Sequence, residues 1–205
     1  MENAYQFVVC LIMGIALSAT CGFKVFVPML CLSLGAHAGW LNLSPGFAWL
    51  GSYPAIILLA IATVLEICTY YIPCVDNFMD SISLPIAVIA GTIAVSSTMV
   101  VDISPMVKWV LAIVAGGGAS AAIKLASATA RGTSTVVTAG FGNSIVNTFE
   151  TIGSVLGSLL AILLPLIGSI IVICLLVAFC LFLKRILKHI FLSWRNRNSP
   201  QTIAN

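Results

Sequence analysis

The sequence predicts an all-α fold, a polytopic transmembrane helical bundle of about six spans. Three observations carry this. Sixty per cent of the 205 residues are apolar, and the mean hydropathy is +1.15. Only 7% are charged, against about a quarter in an ordinary soluble domain. The apolar residues also fall in runs of roughly 20, the length that crosses a ~30 Å hydrocarbon core. A water-facing surface of this composition would aggregate, so a lipid bilayer is the expected surrounding. The net charge of +3 is gathered in a short tail, which argues against nucleic acid as a partner.

The first run covers 5–27. No Lys or Arg precedes Lys24, so the basic start of a signal peptide is missing and the run reads as a retained span. Residues 24–40 allow three readings: a kinked extension, a re-entrant half-helix, or an interfacial helix ending near Trp40. The second run, 53–72, follows the turn signals LSPG (43–46) and GSYP (51–54) and is closed by Pro73. The third is 78–100. The fourth, 106–129, opens at Pro105, where proline suits a first helical turn. Pro165 separates the fifth and sixth, 143–164 and 166–190. Trp40, Trp49, Trp109 and Trp194 fall near span ends, as in an aromatic belt.

Lys184, Arg185, Lys188, Arg195 and Arg197 follow with no acid among them, so the C-terminus is expected in the cytoplasm. With six spans the N-terminus falls there too. Residues 1–182 read as one transmembrane domain and 183–205 as a basic cytoplasmic tail. Overlaying 14–28 on 114–128 aligns Lys24 with Lys124 and small residue with small residue. Each half then reaches an acid, Glu66 or Glu150. This suggests two inverted three-helix repeats, 5–100 and 106–182, with broken first helices.

Charge in hydrocarbon is costly, so an intramembrane ionisable residue is a functional candidate by default. Helical spacing gathers the candidates into stripes. Asn143, Asn147, Glu150 and Ser154 share one face of the fifth helix, and Ser120, Lys124, Ser127 and Arg131 one face of the fourth. Thr63, Glu66 and Tyr70 line the second, and Gly14, Ser18 and Cys21 run towards Lys24 in the first. One reading is a polar pathway; the other is interhelical glue in which a lysine pairs with Glu66 or Glu150. The lysines lie near span ends and can snorkel, whereas the glutamates are too short to do so. Arg131 reads as a cytoplasmic-side anchor.

Gly116, Gly117 and Gly118 interrupt the fourth run. They mark either close backbone packing or a broken helix whose amides help hold an anion. Asp76, Asn77 and Asp80 form an acidic motif at the cytoplasmic rim, read as helix capping, a gate or an incomplete cation site. Two carboxylates and an amide are too few ligands to assert a metal. The seven cysteines include no CxxC pair. GxSxG, HExxH and dinucleotide fingerprints are missing, so no metal or cofactor is expected and an enzyme is the less favoured reading.

The motifs GIALSATCGFKVFVP (14–28), LSPGFAWLG (43–51), YYIPCVDN (70–77), IVAGGG (113–118), RGTST (131–135) and GN (142–143) through Glu150 occur in a familiar order. Together they resemble a bacterial membrane family filed as domain of unknown function 4126, over about residues 10–180. Lys24 stands where that family often has Arg, and Ser144 where it has Pro. The resemblance implies a multi-pass inner-membrane protein and brings no established activity.

The expected function is therefore that of a small transporter or permease-like protein. An anionic or zwitterionic solute, or a lipid headgroup, would suit its cationic surplus. A structural or assembly factor, and a lipid-acting enzyme at the Asp76–Asp80 rim, stand as alternatives. The oligomeric state is left open.

Overall fold

The computed structural model describes the backbone of residues 2–69, 73–138 and 141–197, and side chains chiefly within 3–69, 82–135 and 142–181. Every element but one short 3₁₀ segment, Pro45–Gly51, is α-helical or a π-helical turn. The helices are α1 (Glu2–Cys21), α2 (Phe26–His37), α3 (Tyr53–Thr69), α4 (Pro73–Thr98), α5 (Pro105–Leu111), α6 (Gly118–Thr138), α7 (Phe141–Leu163) and α8 (Ile167–Arg197). A π-helical turn, Ala112–Gly117, joins α5 to α6 without a break. The six expected runs thus correspond to α1, α3, α4, α5–α6, α7 and α8.

Among the described residues, three helical stretches can cross a membrane by length and composition: Asn3–Cys21, Pro105–Thr135 and Gly142–Leu163. Joining Pro45–Gly51 to α3 across its 66° bend makes a fourth. The outward side chains agree with lipid contact. Ile57, Leu58, Ile61, Val64 and Leu65 on α3 are exposed, as are Ile145, Phe149, Ile152 and Leu156 on α7. On α7 the buried side is small and polar and the outward side is aliphatic bulk, the reverse of a soluble bundle.

The main departure from expectation lies at the end of the first run. The run does not continue through residue 27; it stops at Cys21, and α2 turns back. Thr20 Oγ1 lies 3.2 Å from Ser158 Oγ, and a Cβ on Gly35 would lie 3.4 Å from Ile162. Thr20 and Gly35 are fifteen residues apart, about 22 Å along a continuous helix, yet they meet α7 at sites about 6 Å apart. Only a hairpin allows that. The kinked-extension reading of 24–40 fails, and α2 (Phe26–His37) is a separate helix folded back on the first.

This hairpin changes the direction of everything after it. Cys10 and Ser18 of α1 meet Thr98 and Gly91 of α4, so these helices are antiparallel. Gly91 meets Gly116 and Met99 meets Lys108, so α4 and α5–α6 are antiparallel too. It follows that α1 and α6 run in the same direction. An inverted repeat needs its first helices opposed, and the inverted relation between 5–100 and 106–182 fails on that ground. Moreover, α6 is not broken at the glycines, because Gly118 keeps helical angles of φ −64° and ψ −45°. The alternation also leaves the start of α1 and the end of α8 on opposite faces, rather than both on one side. Past residue 182, α8 continues to Arg197.

Candidate functional site

Five charged side chains share the interior of the bundle. Lys24 is 0% exposed, Lys124 1%, Arg131 2%, Glu150 4% and Glu66 9%. Snorkelling is therefore the wrong expectation for the lysines, and Arg131, expected as a cytoplasmic-side anchor, is buried with them. Each has an apolar helix face outward and a polar stripe inward, so its side chain follows the stripe.

Lys24 sits at the tip of the α1–α2 hairpin. There α1 ends in tightened turns, with Gly22 N–H bonding Ala19 O at 3.0 Å and Phe23 N–H bonding Thr20 O at 3.1 Å. Gly22 is needed for close approach: a Cβ there would lie 2.6 Å from Ser120 O and from Ile123 Cβ on α6. The Lys24 ammonium donates to Asn147 Oδ1 on α7. It also feels the charges of Glu150, Glu66, Arg131 and Lys124. Asn147 and Glu150 lie about 9 and 14 Å along α7 from its first residue, which sets the depth of the cluster.

The two glutamates have different surroundings. The N-terminus of α2 has no cap of its own, because Val25 occupies the cap position without a side-chain acceptor. Glu66 supplies it from α3, with Oε1 accepting from Val25 N–H at 2.7 Å and Oε2 from Phe26 N–H at 2.9 Å. A carboxylate at a helix N-terminus satisfies two orphan amides and meets the positive end of the dipole. Glu150 instead faces α6. Its Oε1 accepts from Ser127 Oγ and lies 3.6 Å from Arg131 Nε, while Arg131 Nη2 donates to Ser127 Oγ at 3.1 Å. Glu66 thus caps backbone amides and Glu150 meets an arginine, while both also act electrostatically on Lys24.

Around the charges runs a seam of small hydroxyls. Ser154 Oγ donates to Thr20 O at 3.2 Å, Ser158 follows one turn on, and Ser18 donates to Gly116 O. Ser158 extends the α7 stripe by the same four-residue step and was legible as such. Asn143 stands apart from the cluster, with its amide donating to Thr135 Oγ1 at 2.9 Å. Gly116 and Gly117 pack against α4, so close packing, not an anion-binding break, accounts for them; Gly118 faces open space. The side chains of Asp76, Asn77 and Asp80, and residue Tyr70, lie outside the described residues.

Sequence reasoning missed two features. The amides of Val25 and Phe26 belong to the site, and Gly22 and Pro28 flanking them were the signal, as a helix-stop glycine and a first-turn proline. Lys108, at the opposite end of the bundle, bonds Ser44 Oγ and, at 3.0 Å, Met99 O, closing the C-terminus of α4. A side cavity of about 390 Å³, lined by Val25, Phe26, Leu65, Glu66, Ser83 and Ile86, opens beside the hairpin tip.

The family described as Domain of unknown function (DUF4126) matches residues 11–185. The chain belongs to this family. The match takes in the hairpin, all five buried charges and the small-residue seam, so the site is part of the DUF4126 domain and not an appendage to it. No curated protein and no solved structure matches the chain.

Proposed function

We infer that this membrane protein is a small permease whose buried charge cluster binds and gates an anionic or zwitterionic solute, or a lipid headgroup. The observation that carries this reading is the interrupted backbone at 22–25, which brings the N-terminus of α2 to three cations deep in the bundle. Discontinuous helices with inward-pointing N-termini are how many transporters hold the charged part of a substrate. The side cavity beside Glu66 supports access from the bilayer. The positive-inside rule puts the end of α8 in the cytoplasm of a bacterial inner membrane, and the opposite direction of the chain's start then puts it outside.

A structural role is favoured by one specific observation, the full use of both Glu66 oxygens by the α2 amides. Glu150 separates the two readings. Thermal unfolding of the detergent-purified chain against a panel of small anions, zwitterions and anionic lipids is the test. A true ligand at about 100 times its Kd adds about 2.7 kcal/mol and raises the midpoint. We expect at least one such rise, with its size or selectivity altered in Glu150→Gln. A panel that moves nothing, with Glu150→Gln less stable than wild type, sinks the permease reading in favour of the structural one.

A further inference from the structure

We propose that Asn147 and Glu150 form a subsite for an oxyanion that still carries a proton, such as a monoprotonated phosphate. This rests on the permease reading and names its substrate class. Two buried polar atoms of these residues have no hydrogen-bond partner: Asn147 Nδ2, a donor, and Glu150 Oε2, an acceptor. The other end of each side chain is held, Asn147 Oδ1 by Lys24 and Glu150 Oε1 by Ser127 and Arg131. The two groups are thus oriented, and each presents its unused atom.

Leaving a buried polar group unmet costs about 1–3 kcal/mol, so a guest that satisfies both atoms is favoured. Three residues apart on a helix, their Cβ atoms stand about 5–6 Å from each other, so one small guest can reach both side chains. One hydroxyl oxygen, at about 2.8 Å from each, bridges polar atoms up to about 5.6 Å apart. It must accept from the amide and donate to the carboxylate, which a P–OH group does.

The donor requirement makes the site selective. Sulfate has the shape of phosphate but no proton at neutral pH, and its bare oxygen would face Glu150 Oε2 with like charge. A site built around a hydrogen bond rejects the analogue that cannot make it. Neither atom is open to solvent in this closed arrangement, so the guest enters when the hairpin tip and α7 separate. The same P–OH chemistry is available from free phosphate or from a phosphomonoester lipid headgroup.

The test is thermal unfolding of the purified full chain with inorganic phosphate or sulfate at equal concentration. Parallel micelles carry a phosphomonoester-headed or a phosphodiester-headed lipid. Phosphate, the phosphomonoester lipid, or both should raise the midpoint, with sulfate and the phosphodiester lipid on the order of 100-fold weaker or worse. A rise with phosphate alone names the free ion as the source; a rise with the lipid alone names the headgroup. In Glu150→Gln the new amide can donate to a bare oxyanion, so the preference over sulfate should shrink to a few-fold. Equal responses to phosphate and sulfate, or no response to any phosphomonoester, overturn the proposal while other anions can still uphold the permease reading. An unchanged preference in a folded Glu150→Gln overturns it as well; if that variant does not fold, the wild-type comparison decides alone.

Discussion

Glu66→Ala is expected to destabilise the protein by about 2–6 kcal/mol, because it strands the amides of Val25 and Phe26 at roughly 1–3 kcal/mol each. Both amides lie at the tip of a hairpin inside the bundle, where lipid and protein offer no substitute acceptor. Removing the carboxylate also takes a countercharge from Lys24 and Lys124. Glu66→Gln keeps one carbonyl oxygen and should fall between wild type and the alanine variant. Unfolding midpoints in mixed detergent would give the order. An alanine variant as stable as wild type would mean that the hairpin tip finds its acceptors elsewhere.

The second large effect is expected from a single methyl group at Gly116. A Cβ there would meet the carbonyl of Gly91 and lie 2.8 Å from Val95 Cγ2, so α4 and the π-turn must move apart. Overpacking of this kind costs about 1–3 kcal/mol, more when the obstacle is backbone. Two residues on, a Cβ at Gly118 meets nothing within 4 Å. Gly118→Ala should be neutral, or stabilising by up to about 1 kcal/mol through helix propensity. The contrast between two neighbouring glycines reads the helix contact directly. Equal effects of the two substitutions would contradict the packing of α4 on the π-turn.

Much of this architecture was legible in the sequence. Apolar runs between turn signals located every long helix, and the four-residue spacing of Asn147, Glu150 and Ser154, or of Lys124, Ser127 and Arg131, placed the right faces inward. The fate of those charges was not legible. Snorkelling and burial produce the same pattern when a lysine sits near the end of an apolar run, and only tertiary contact with Asn147 decides for burial. The partners of Glu66 were hidden for a related reason, since backbone amides carry no residue-type signature.

The hairpin stayed one of three readings because hydropathy is blind to direction. Residues 5–34 stay apolar across the turn, and the break shows only as Gly22 followed by Pro28. Those two residues end one helix and begin the next, but in a membrane segment either is also tolerated inside a helix. Leaving the turn undecided produced two errors, the inverted repeat and a shared face for the two termini. Both follow from counting one segment too few.

Disulfide trapping in native membranes tests the α1–α2 hairpin and its contact with α7 most directly. In a background without the native cysteines, one variant pairs Thr20→Cys with Ser158→Cys and a second pairs Gly35→Cys with Ile162→Cys. Both pairs are expected to cross-link within one chain under mild oxidation, because the two arms of the hairpin reach α7 within about one helical turn of each other. Cross-linking of the first pair without the second would contradict the turn, and the charged cluster at its tip would fall with it.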